Sequence, residues 1–406
     1  MELYLYLING FVRFYYERNC GLGSFGVYWE ESNTMKSMKK SIPAVACVMA
    51  LTMGILSASL SVEAAGQLVG GFNPGNEATG EGSVIVGGGD TGVPNKAEGR
   101  NSTILGGTKN AAEGSYTTVV GGLHNTVHEE IHNGSILGGK DNQIEAVGKL
   151  IGNYATISGG EDNIAHGESS SISGGNANGT YGLHSSISGG RGNNAGGEIG
   201  SVMGGSQNNA DGKGSTLGGG LGNTGKGEWS SVFGGSKNEA VGTGATILGG
   251  GGRGTKFVTH KNIANGEYAT IVGTRDANSV GNGSTILGGA GGVTLGKVST
   301  SIGGGFTGSK AENSVALGYK SGSVVKYGTA LGHESVATEE GTIAFGHDAG
   351  DVSGYKVVYQ KKEITNHLGN KVWVPDYDKD PTVTPTTFDK AKYNRLVKLA
   401  DGIDAH

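Results

Sequence analysis

Charge, aromatic rings, proline and cysteine are all scarce in this chain. With charged residues at 17% and a net charge of −5, it has no electrostatic footprint for nucleic acid or an anionic membrane. With aromatics at 7% and only six prolines, it does not read as two or three ordinary globular domains, despite 406 residues. The only cysteines, Cys20 and Cys47, precede the expected mature start. The exported product then has no disulfide and is not a stapled small domain. Patterns for phosphate binding (GxxxxGK[ST], or GxGxxG opening a helix) and for a nucleophile elbow are missing as well, and no cofactor is expected. What the chain has in excess is glycine, 81 residues. Glycine-rich, proline-poor sequence is linker, fibre or solenoid, and periodicity separates these.

From Met35 the sequence reads as an export signal. Lys36, Lys39 and Lys40 form a basic start, Ile42 to Leu56 an apolar stretch, and Val62-Glu63-Ala64 a small-residue cleavage site. This divides the chain into a doubtful extension (1–34), with Met35 or Met38 as the true start, a signal peptide (35–65), a repeat region (66–350), an inserted subdomain (351–389) and a terminal segment (390–406).

The repeat is a short apolar strand ending in glycine, as in STILGG, TTVVGG, GSILGG, ATISGG and SSVFGG. From Gly87 to Gly346 there are sixteen steps between successive glycines, and eleven are 14 or 15 residues. That regularity excludes disordered low complexity. A second motif follows about four residues later, as in Asn110-x-Ala112-x-Gly114 and Asn208-x-Ala210-x-Gly212. Each unit is therefore expected to hold two short strands separated by tight turns, with Asn and Gly at the positive-φ turn positions. Stacked at about 4.8 Å per unit, seventeen units predict an all-β parallel β-roll (a β-solenoid) roughly 80 Å long. The pleat adds one expectation. Ile104 and Leu105 point to opposite faces, as do Val119 and Val120, Ile136 and Leu137, and Ile247 and Leu248. Apolar residues on both faces imply that the outer one is also buried, most simply against copies of the same chain.

Asn313, Ser314, Val315, Ala316, Leu317, Gly318 and Ser321 lie in the stretch NSVALGYKS, which closely resembles the NSVAIGxxS head repeat of YadA-like trimeric autotransporter adhesins. The stretches at 328–337 and 341–347 continue it, and residues 395–405 are similar to the neck that follows such heads. The resemblance covers roughly 82–405. It implies a homotrimeric, left-handed roll on the surface of a Gram-negative-type bacterium, binding host or bacterial surfaces, with extracellular-matrix ligands such as collagen among the partners and 313–318 with Ser321 as candidate binding residues. Family members continue into a coiled-coil stalk and a β-barrel anchor. Here neither heptads nor alternating membrane strands follow, so either the reading frame is truncated, which is the favoured expectation, or the chain is secreted without an anchor, with membrane contact only through an anchor absent from this sequence.

Other motifs weigh less. His128-Glu129-Glu130-Ile131-His132 spells H-E-x-x-H, but zinc protease chemistry needs it on a helix with a third ligand. Asp376-x-Asp378-x-Asp380 opens like a calcium loop, but Pro381 and Thr387 stand where Gly and Glu are required. No metal site is expected. The longest step, Gly249 to Gly273, inserts a loop with Arg253, Lys256, Phe257 and Lys261, a basic candidate binding patch. Two rival functions stand besides a purely structural surface protein. A polysaccharide-processing β-solenoid enzyme needs longer repeats and clustered carboxylates. An ice-binding roll needs a regular Thr-x-Thr ladder, and Thr103, Thr118, Thr216 and Thr246 read as too scattered for one. A non-catalytic adhesin head is the expectation.

Overall fold

A computed structural model describes residues 3–7, 10–19, 22–31, 34–38, 67–69, 75–88, 93–148, 151–252, 261–365, 371–377 and 379–393. The expected signal peptide from 39 onward and the neck-like segment beyond Tyr393 lie outside them. The chain divides into two units, Met1–Ala64 and Ala65–His406. In the first, Leu3–Leu7, Gly10–Asn19, Leu22–Glu31 and Thr34–Met38 form an antiparallel meander.

The second unit is a parallel β-solenoid. One ladder runs from Gln67–Val69 to Ile343–Ala344, each strand pairing in parallel with the strand one turn away. A second runs from Glu77–Ala78 to Val336–Ala337. Both are open at their ends, because among the described residues no pairing joins the last strand to the first. The strands are only two or three residues long, so every coil depends on its neighbours for backbone hydrogen bonds. A third, single-residue ladder, not expected from the two-strand unit, follows the paired glycines: Thr108, Leu123, Lys140, Glu161 and Asn176 bridge in succession, and the series continues to Gly251.

Inside, large side chains of the first ladder meet small ones of the second. Ile104, Val119, Ile157, Ile172 and Ile187 are buried opposite Ala112, Ala165 and Ala195. So thin a core leaves no room for a Cβ where coils touch. A methyl group added to Gly99 would overlap the Gly114 carbonyl of the next coil, which is why glycine recurs in the NxAxG motif.

Asn101, Asn133 and Asn313 hold positive-φ turn positions as expected, but the asparagines of the NxAxG motif do not. Positive φ falls on the preceding residue, at Lys109, Asp162, Gln207 and Lys237. The asparagines are buried and stacked as an internal ladder. The Asn178 backbone N–H donates to Asn163 Oδ1 at 3.1 Å, and its Nδ2 donates to the carbonyls of Gly174 (3.0 Å) and Gly190 (3.1 Å). Its own Oδ1 accepts from the Asn193 N–H at 3.0 Å. Each amide thus satisfies groups from several coils in the buried interior, which makes removal costly.

Candidate interaction surface

Alternation along a strand puts every second side chain outside, so each ladder presents two outward columns. On the first ladder one column is apolar for most of its length. Val86, Leu105, Val120 and Leu137 lead it, and Met203, Phe233, Leu248, Leu287 and Leu317 follow, with exposures between 36% and 55%. The column is continuous in register, since Phe233 pairs with Leu248, Leu248 with Val272, and so on to Leu331. Ser158, Ser173, Ser188 and Gly218 interrupt it mid-roll; their N–H groups continue the same hydrogen-bond column. The outer apolar side chains, expected to be buried, are therefore open to solvent in the single chain.

The neighbouring outward column corrects a second expectation. Thr103, Thr118, Ser135, Thr156 and Ser171 stack in register, and Thr or Ser continues at each described rung to Thr300. The threonines alone read as scattered because serine takes the place of threonine at several rungs, Ser171, Ser186 and Ser201 in succession. The residue two positions on is mostly apolar, so a Thr-x-Thr surface still does not form.

The outward face of the second ladder behaves differently. Lys96, Gln143, Asn194, Asn209, Thr224 and Glu239 are polar, but Ile263, Val293, Phe306 and Val336 in the same column are apolar and buried. The chain covers the last three itself. Val352–Val358 pairs antiparallel with Thr382–Thr387, and Lys361–Thr365 with Lys371–Pro375. Val352, Tyr355, Val357 and Phe388 pack on Val293, Phe306 and Val336, with the Phe306 and Tyr355 rings 5.7 Å apart, edge to face. Farther along, the Tyr377 hydroxyl bonds Glu239.

No protein-family model matches this chain, and no curated protein does. The surface has to be read from its own residues.

The NSVALGYKS residues divide between structure and surface. Ser314 and Ser321 are buried, their hydroxyls donating to the Ala311 and Gly318 carbonyls at 2.8 Å. Ala316 faces the core, Val315 lies outward in the hydroxyl column, and Gly318 turns the chain with φ 134. Leu317 belongs to the open apolar column, and Asn313 sits at a positive-φ turn. Of the basic loop, Arg253, Lys256 and Phe257 lie outside the described residues. Lys261 is half-buried and paired with Glu239 at 3.0 Å.

The H-E-x-x-H residues follow a strand into a turn, not a helix. His128 stands in a titratable column, 3.7 Å from Glu113 and 3.6 Å from Glu145. His166 follows, 3.7 Å from Glu145 and stacked on Tyr181 at 4.7 Å. Burial pushes the His166 imidazole below its ordinary value against the pull of Glu145, and burial raises the Glu113 carboxyl. Asp376 of the calcium-like loop is buried against Lys362 at 3.2 Å.

Proposed function

We propose that this chain is the head of a bacterial surface adhesin of the YadA-like trimeric kind: a left-handed roll that assembles as a homotrimer and attaches its bearer to other surfaces without catalysis. The carrying observation is the open apolar column from Val86 to Leu331. An open column of this length that is apolar over most of its rungs marks an interaction surface, and identical columns on copies of one chain are self-complementary in composition. The NSVALGYKS stretch supports the same reading, since Leu317 lies in that column. Trimerisation would leave the turn edges outward, where many weak identical sites add through avidity. Collagen is the first ligand to try, on the resemblance.

Light scattering and chemical cross-linking of the exported chain test the assembly. A mass three times that of one chain is expected, and a folded monomer at micromolar concentration would overturn the proposal. Retention on immobilised collagen, compared with an albumin surface, tests the ligand.

A further inference from the structure

Besides the paired glycines, most coils hold two further positive-φ residues, one on each of two edges. Along one edge those residues are mostly charged, polar or small: Lys109, His124, Asp162, Ala177, Gln207 and Lys237 among them. Along the other edge stand Tyr116 (φ 60), Tyr154 (φ 58), Trp229 (φ 56), Tyr268 (φ 54) and Tyr327 (φ 57), joined by Ile199 (φ 58) and Val298 (φ 52). For bulky and β-branched side chains this backbone is strained, and neighbouring coils show that glycine or asparagine fills the position without difficulty. Strain kept where an easy alternative exists points to a use.

These residues form one column. Each N–H donates to the coil before: Trp229 to Lys213, Gly244 to Glu228, Tyr268 to Thr243, Gly283 to Glu267 and Val298 to Asn282. From Ile199 onward, bulky residues alternate strictly with small ones. Gly214, Gly244, Gly283, Asn313 and Gly341 fill the rungs between Ile199, Trp229, Tyr268, Val298 and Tyr327. Tyr116 and Tyr154 flank Asn133 in the same way. At about 4.8 Å per rung the platforms repeat every 10 Å or so, about one per two coils.

The intervening glycines make room for flat rings. A methyl on Gly214 would run into the Trp229 indole, and one on Gly244 into the Tyr268 ring. The rings lie along the edge yet stay open, Trp229 at 56% and Tyr268 at 69% exposure, so burial does not repay the strain. The residue before each platform is a hydrogen-bonding one: Glu198, Glu228, Glu267, Lys297 and Lys326. Lys326 lies over the Tyr327 ring at 4.9 Å, which leaves Trp229 and Tyr268 as the open centre of the row.

We propose that this edge binds an extended β-1,4-linked glycan, with Trp229 and Tyr268 stacking on sugar rings and Glu228 and Glu267 accepting hydrogen bonds from sugar hydroxyls. In such a chain, alternate sugars present the same face, and the two-sugar repeat matches the two-coil spacing of the platforms. A flat, C–H-rich pyranose face suits an aromatic plate, and a polar group beside each plate suits its hydroxyl rim. A lipid surface or an apolar peptide would not select a fixed spacing or polar neighbours. The inference deepens the adhesive reading by naming a ligand class, and rests on that reading only for its biological use.

The test is affinity electrophoresis of the full chain in gels containing hydroxyethyl cellulose, glycol chitin or, as an α-linked control, glycogen. Retardation by a β-1,4 polymer and none by glycogen is expected. The variant carrying Trp229→Gly and Tyr268→Gly should keep or raise its melting temperature, because glycine relieves the left-handed strain. Its glycan affinity should fall about tenfold or more, the loss of two stacking contacts. No retardation of the parent by either β-1,4 polymer, equal retardation by glycogen, or full retention by the folded variant would each overturn the inference. Light scattering on the same samples separates the two proposals. A trimer that ignores glycan removes only this one, and a monomer that binds removes only the assembly.

Discussion

The outward faces of the two ladders both turn apolar, but the chain treats them differently. On the second ladder, Val293, Phe306 and Val336 are exposed by at most 5%, with Val352, Tyr355 and Val357 of the strand 352–358 and Phe388 packed on them. On the first, Leu105, Leu137 and Met203 are about half exposed, and no part of the described chain lies on them. The same residue types in the same pleat thus have an intramolecular partner in one place and none in the other. For Val293, Phe306 and Val336 on the second ladder, this sequence also supplies the segment that covers them. By that standard the first ladder lacks its cover within the chain.

The strongest way to break this comparison is to charge the uncovered column. Leu105→Glu, Leu248→Glu and Leu287→Glu together should convert the assembly to monomers in light scattering while the β signature in circular dichroism persists, since these side chains leave the core untouched. An unchanged mass would mean that the column is not the interface. On the covered face the opposite pattern is expected. Phe306→Ala should remove about 3–5 kcal/mol of packing beneath the appendage and expose 351–393 to limited proteolysis, with the oligomer mass unchanged. A change in the interior, which both faces share, should not discriminate. Asn193→Ala leaves the Asn208 N–H and the Gly189 and Gly205 carbonyls without their partner, at about 1–3 kcal/mol for a buried unsatisfied group. Chemical denaturation should show that loss in assembled and charged-column protein alike.

The smallest effect concerns the polar part of the second face. Burial keeps the His166 imidazole deprotonated where the unfolded chain takes up a proton near pH 6.5. Its contribution is therefore complete above about pH 6.5 and is lost as pH falls through the lower folded value. The nearby Glu145 draws the proton back and reduces the effect. His166→Phe, which preserves the stack on Tyr181, should flatten the melting temperature between about pH 7 and pH 5. An identical slope in the variant would assign the pH dependence to other groups, Glu113 first among them.

Much of this fold could be read from residue spacing. A period near 15, β-branched residues ahead of glycine and an apolar pair at each strand's end specify stacked short strands with an inner and an outer apolar residue. The asparagines were legible as a column but not as a buried one. A turn position and an internal ladder position have the same period, and only the placement of neighbouring carbonyls separates them. The third bridge ladder was hidden because a single residue per coil has no alternation to detect. The aromatic edge was missed for a related reason. Tyr116, Trp229 and Tyr268 stand at unequal sequence intervals, and only the hydrogen-bonded column puts them on one edge, with Trp229 and Tyr268 two coils apart.

The sequence by itself determined the solenoid, because backbone pairing between coils follows from a local repeat and glycine is required wherever coils touch. Only the tertiary structure decided which outward apolar side chains are satisfied, because that depends on whether a segment as distant as 352–387 returns to cover them.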